Sequence, residues 1–203
     1  RWEGKTSHFF KTLYNMACDI ANGRALECKE SIGGIRNVYF ANNGAGGALT
    51  IDADGDLTGL GTSSSDVYKY ELIPQGSSFD EVVTVSEENG TVFYEQTLTL
   101  SLPNLTSVSL KALKILGQGR FQVYIEDNNI DEATGQGKVY LAGAFNGVTV
   151  TGGNVGRGQA FGDMNGYNLT LTGREQRAAL LCTAGTTAGA LQGLTNPPTE
   201  TAS

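Results

Sequence analysis

Asp52, Asp54 and Asp56 occupy alternate positions, the first, third and fifth places of a calcium loop, where three carboxylates can converge on a hard, oxygen-seeking cation. The rest of that pattern is missing. The sixth place needs a glycine for the sharp turn and the twelfth a bidentate glutamate, and these are Leu57 and Ser63. Asp127, Asn129 and Asp131 repeat the spacing with Glu132 and Lys138 at the same two places. Both stretches are therefore expected to be solvated turns, with no metal bound. Nucleophilic catalysis by a Ser-His-Asp or Cys-His device needs an imidazole base, and the single histidine is His8, far from the body of the chain. Glu87 and Glu88 lie side by side at an expected hairpin tip, which is expected to be a solvated turn rather than the sheltered site that an acid and base pair requires. Gly152-Gly153-Asn154-Val155-Gly156-Arg157-Gly158 lacks the G-x-G-x-x-G order and a following helix, and no G-K-[ST] occurs. It is expected to be a flexible loop, the alternative being that Arg157 on it meets an acidic neighbour or a passing phosphate. No catalytic residue and no cofactor site is expected.

Composition narrows the class. The 203 residues suit one domain, long enough to bury roughly 70% of the unfolded surface without staples. Twenty-eight glycines and only 17% charged residues predict a β-rich chain with tight turns and few helices. A net charge of −7 argues against wrapping nucleic acid, because phosphate binding needs clustered cations and no basic stripe is visible. Cys18, Cys28 and Cys182 are odd in number and contain no C-x-x-C, which points to reduced, structural thiols and a reducing compartment. No stretch approaches the roughly 18 consecutive apolar residues that cross a bilayer, so no membrane span is expected. Arg1 to Lys11 is positively charged but has no apolar core of the kind an export signal needs. Residues 1–15 differ in composition from the chain after Met16. They are expected to form an appended arm or a product of upstream initiation, the alternative being a short terminal helix that buries Phe9, Phe10 and Leu13.

The elements that must position these groups emerge from period. Val83 and Val85, then Val92 with Phe93 or Tyr94, flank a hairpin closed by Asn89-Gly90. From Thr97 to Leu102 the period is two, sending Leu98, Leu100 and Leu102 to a buried face and Thr97, Thr99 and Ser101 to a polar one. Pro103 ends that ladder, and Asn104 is expected to N-cap a helix over Asn104-Leu116, with Ser107 as a weak partner. Leu105, Val108, Ala112, Leu113 and Leu116 make one stripe of it, Lys111 and Lys114 lie off the stripe, and Gly117 is a left-handed stop. Further strands are expected at Gly33 to Ala41, Leu49 to Asp52, Val67 to Ile73, Arg120 to Ile125 running into a turn-rich Glu126 to Asn129, Gly137 to Ala142, Gly147 to Thr151 and Gly166 to Thr172. Together they predict a mainly β fold, an antiparallel β-sandwich or barrel of about eight or nine strands with one flanking helix. Residues 16–173 form its body. Residues 174–203 are expected to give one or two helical turns through Ala178, Leu181 and Cys182, then a low-complexity tail from Thr183 that builds no core of its own.

Paired early strands with a long loop, a hairpin, a strand, one mid-chain helix and a closing group of strands resemble the tail tube proteins of tailed bacteriophages. The opening Asp19-Ile20-Ala21-Asn22-Gly23-Arg24-Ala25-Leu26-Glu27-Cys28-Lys29, followed by Ser31-Ile32-Gly33-Gly34-Ile35, is similar to the start of such proteins. The resemblance covers roughly Met16 to Thr172 as element order. It implies a non-enzymatic, structural virion protein of the tail, assembled in the host cytoplasm. Its copies would form stacked, hexameric rings whose sheets merge into a β-barrel around a channel. The implied partners are other copies, other tail or virion proteins, and DNA as a transient passenger. The loops from Asn42 to Gly47, Gly59 to Asp66 and Gly152 to Gly158 become candidate contacts between rings, with Asn42, Gly44, Gly59, Asp66, Gly153 and Arg157 as their named residues. An acidic balance suits a conduit, since cations on its wall would hold phosphates back. Two other classes fit the composition: a capsid decoration or head-to-tail joining protein, and a carbohydrate-binding β-sandwich. The last requires an aromatic platform, whereas Trp2 lies in the arm and the tyrosines fall at alternating strand positions.

Overall fold

The computed structural model describes residues 31–43, 48–59, 67–73, 75–104, 107–131, 135–183, 191 and 195–196, with only the backbone described at 107–110, 131 and 195–196. The chain divides into Arg1–Ser31 and Ile32–Ser203, and the architecture here is that of the second unit. His8, Cys18, Cys28 and the expected arm lie outside the described residues. In chain order the elements are β1 (Ile35–Asn42), β2 (Thr50–Ile51), β3 (Leu57–Gly59), β4 (Val67–Glu71), β5 (Ser78–Ser86), β6 (Thr91–Pro103), α1 (Ser107–Leu116), β7 (Phe121–Asp131), β8 (Gln136–Ala142), β9 (Thr149–Gly156), β10 (Gly166–Glu175), β11 (Leu180–Cys182) and β12 (Thr195–Asn196). They make an eight-stranded sheet, β12-β4-β1-β7-β8-β11-β3-β2, and a four-stranded sheet, β5-β6-β10-β9. The fold is mainly β, a sandwich with one short helix, as the alternating pattern predicts. All pairs are antiparallel except β11 with β3 and β12 with β4, which are parallel.

The hairpin forms where Asn89-Gly90 predicts it. Ser86 pairs with Thr91 across Glu87–Gly90, and Gly90 takes φ 61°, a left-handed value that suits glycine. On β6, Leu98, Leu100 and Leu102 are buried while Thr97, Thr99 and Ser101 are half-buried on the other face. Those leucines meet Leu169 and Leu171 of β10 and, from the larger sheet, Val38, Phe40, Val123 and Ile125. Phe40 sits edge-on to Tyr70 at 5.1 Å and to Phe121 at 5.9 Å between ring centres. A second core on the far face of the larger sheet gathers Tyr39, Tyr124, Leu141, Leu57, Leu180 and Leu191. For this reason Val38, Tyr39, Phe40 and Ala41 are buried in succession: β1 is covered on both sides.

Several expectations are corrected. The helix begins at Ser107, because Asn104 takes φ 66° and gives its N–H to Asn165 O at 2.8 Å, which is not the extended backbone of an N-cap. On α1 Leu116 is buried, Ala112 and Leu113 are half-buried, and Lys111, Lys114 and Ile115 are exposed. Leu105 and the side chain of Val108 lie outside the described residues. Gly117 does not turn left-handed; the helix closes through bonds from the Gly117 and Gly119 amides to Leu113 O and Ile115 O. Glu126 to Asn129 is no turn, since β7 runs on to Asp131 through an irregularity between Glu126 and Ile130. Arg174 to Cys182 is not helical either. β10 continues to Glu175, and Leu180 and Cys182 are buried on either side of half-buried Leu181, the period of a strand added to β8. The nine expected strands are joined by β3, β11 and β12, each of two or three residues. The low-complexity tail supplies fully buried Leu191 and the backbone of β12.

Leu116→Asp is expected to destabilise the fold by several kcal/mol through an unpaired buried charge, and Leu113→Asp by clearly less, in urea titrations of the two variants. Leu191→Ala is expected to cost about 2–5 kcal/mol in the same measurement. A cost near zero at Leu191 would mean that the tail does not complete the second core.

Candidate functional site

The four-stranded sheet ends on two long strands, β5 and β9, which among the described residues pair only with β6 and β10. Exposed strand edges offer unused N–H and C=O groups to another chain, and soluble proteins commonly blunt them with lysine, proline or very short strands. Neither strand has a lysine or a proline or is short: β5 reads SFDEVVTVS and β9 reads TVTGGNVG, over 9 and 8 residues, and the charges on them are Asp80 and Glu81 of β5, the latter bonded to Gln96 and the Ala179 amide. The irregularity in β9 beside Thr170 and Leu171 is its only blunting device. Beyond the last pairing of β10, Tyr94 with Glu175, the hairpin continues as a bare ribbon. Cross-strand pairing puts Val83, Val85 and Val92 on the ribbon side that continues the core face, and they are 52%, 61% and 50% exposed.

The outer face of this sheet is a field of hydroxyls and amides: Ser78, Thr97, Thr99, Ser101, Asn168, Thr170 and Thr172, in register across three strands. Thr151 and Thr172 share a hydroxyl hydrogen bond at 2.9 Å. Its charges are few. Arg174 is paired with Glu95 at 3.0 Å, and Asp80 takes a hydrogen bond from Ser78 Oγ. Among the described residues no lysine lies on the face.

After β9 the chain forms a loop through Arg157 and Phe161 to Asn165. Asp163 Oδ2 accepts the amides of Gln159 and Ala160, each at 2.8 Å, and these bonds hold its carboxyl below the ordinary carboxylate range, Ala160 contributing most. Gly158 adopts φ +68°, and a Cβ there would press on Asp163 Cβ at 2.7 Å, so glycine is needed for the loop to close. Phe161 is fully exposed at its tip.

The candidate residues do not form one site. Asn42 ends β1 and Gly59 ends β3 in the larger sheet, whereas Gly153 lies inside β9 and exposed Arg157 just beyond it. Gly44 and Asp66 lie outside the described residues. The expected flexible loop Gly152 to Gly158 is corrected, since β9 extends to Gly156 by pairing with β10, and a Cβ at Gly153 would collide with Asn168 O at 2.6 Å. Asp52 Oδ1 accepts the amides of Asp54 and Asp56, so its carboxylate is engaged by its own turn. Asp127 likewise binds the amides of Asn129 and Lys138. Among the described residues no three His, Cys, Asp or Glu side chains gather to hold a metal, and no helix is long and apolar enough to cross a membrane. Three of the hollows among the described residues bear on the site. One of about 400 Å³ is lined by Ile51, Asp52, Phe145, Gln176 and Arg177. A polar one of about 370 Å³ lies by Arg36, Glu126 and Lys69, whose ion pair holds the Glu71 carboxyl low. The third, of about 260 Å³, lies between α1 and the larger sheet and is walled by Phe40, Tyr68, Tyr70, Ile115, Leu116 and Phe121 among others. Phe161 was missed by pattern reading, although an aromatic among Gly158, Gly162 and Asp163, in no periodic stretch, was a signal. No protein-family model, curated protein or solved structure matches this chain.

Because folding lowers the Asp163 pKa, its contribution to loop order is complete above about 3.8 and is lost as pH falls through the lower folded value. Asp163→Ala at neutral pH should therefore lower the hydrogen-exchange protection factors, taken relative to the intrinsic rate at each pH, at Gln159 and Ala160, as acidification does in the parent, with no change in global melting. Unchanged protection would show that the carboxylate does not hold the loop.

Proposed function

We propose that this chain is a structural virion protein whose copies join edge to edge into rings that stack as a phage tail tube, a conduit for DNA. The observation that carries the reading is the pair of edges, β5 and β9, on opposite sides of one sheet, that stay unpaired among the described residues. Adding β9 of one copy to β5 of the next satisfies both rows of backbone groups, and repeating the step leaves no edge once a ring closes. The hydroxyl-rich outer face supports the same reading, because a merged wall of that face offers DNA no cluster of lysine or arginine to grip. The net charge of −7 acts in the same direction. The valine-bearing ribbon supplies apolar surface that contact with another copy would cover. A glycan-binding platform finds less support: Tyr39, Tyr124 and Tyr167 are buried.

Negative-stain microscopy of the purified protein at rising concentration is expected to show hollow stacked rings. Val82→Lys with Asn154→Lys, one on each edge strand at exposed positions, should abolish them while shifting monomer stability by no more than about 0.5 kcal/mol. A persistent monomer, trimers that coat a capsid, or turnover of a small substrate would overturn the reading.

A further inference from the structure

We infer that Phe161 of one copy inserts into the aromatic hollow beneath α1 of a neighbouring copy, so that a knob on the small sheet and a hole beside the large one lock two chains together. This contact rests on the self-association proposed above and names a second interface for it. A fully exposed phenylalanine ring on an ordered loop is an anchor that no pocket among the described residues of its own chain covers. The loop is held in shape by the Asp163 carboxylate on two successive amides and by Gly158, so the ring is presented with little conformational entropy left to lose. The hollow has the complementary properties. A cavity of about 150 Å³ admits benzene, and this one is about 260 Å³, enough for a phenyl ring. Its walls include Phe40, Tyr68, Tyr70 and Phe121, and Tyr68 and Ile115 at its mouth are 44% and 65% exposed. Charge also matches. Lys111 and Lys114 are exposed on α1, next in sequence to Ala112 and Ile115 of the hollow's wall, and Asp163 stands two residues from the ring it would accompany. Knob and hole are different patches of the chain, so the contact is heterologous and propagates from copy to copy instead of ending at a dimer.

The test mixes full-length Phe161→Cys with full-length Ile115→Cys under a mild oxidant, maps disulfides by mass spectrometry, and measures assembly of Phe161→Ala and Ala112→Trp. Expected are an inter-chain 161–115 disulfide and a rise of about 30-fold or more in the concentration needed for assembly of each variant. Because Phe161 is fully exposed in the single chain, Phe161→Ala should melt as the parent does. The disulfide within assemblies that are not stacked rings would uphold the knob and overturn the tube. Stacked rings with no such disulfide, and with Phe161→Ala assembling at the parent concentration, would overturn the knob and leave the tube standing. Absence of assembly at any concentration would overturn both.

Discussion

The two sheets are held in register by one turn, Gly143 to Gly147, whose backbone is satisfied by buried polar side chains from three strands. Gln96 on β6 accepts the Gly143 amide at 2.8 Å, and Gln122 on β7 donates to Ala144 O at 2.8 Å. Glu175 on β10 accepts the amides of Phe145 and Asn146 at 3.1 and 2.7 Å. All three side chains are at least 97% buried. Losing a partner at such a site leaves a desolvated polar group, so turn and sheets determine one another. Gly143 and Gly147 adopt φ of 65° and 76°, and a Cβ on Gly143 would strike the Val148 amide at 2.7 Å, which ties the turn to glycine.

From that tie the network reaches the chain's last third. Gln96 also donates to Glu81 Oε1, and the same oxygen accepts the Ala179 amide at 2.7 Å. Ala179 is thereby placed one residue before β11, which docks on the free edge of β8. A second buried group does similar work midway along β7. Glu126 accepts from Asn37 Nδ2 at 2.7 Å and from the Tyr39 hydroxyl at 2.9 Å. Gly137 opposite it has no room for a side chain, because a Cβ would overlap the Asp127 carbonyl and crowd Glu126 Cγ. The sandwich is thus fixed by these polar ties and by leucine, valine and aromatic packing.

The two sheets play different parts. The larger one is buried on both faces along β1 and β7 and supplies rigidity. The smaller one buries one face only, presents hydroxyls on the other, and leaves both edges and the hairpin ribbon unpaired among the described residues. Burial on both faces is thus concentrated in one layer, and open strand edge, among the described residues, in the other.

Local pattern was enough wherever a single period repeats. Leu98-x-Leu100-x-Leu102 determined a strand and its buried face, Asn89-Gly90 determined the hairpin, and the stripe at Ala112, Leu113 and Leu116 determined a helix, because these signals act between residues a few positions apart. Tertiary structure decided the rest. Ala178, Leu181 and Cys182 carry helical spacing, yet the unpaired edge of β8 made a strand more favourable there. Gly152 to Gly156 has the composition of a loop, yet β10 offered it a ladder. Gln96, Gln122 and Glu175 look like surface residues in sequence and are buried because a turn dozens of residues away needs their hydrogen bonds. Burial of a polar group and pairing of a weak strand both depend on partners distant in the chain, and no local spacing encodes that partner.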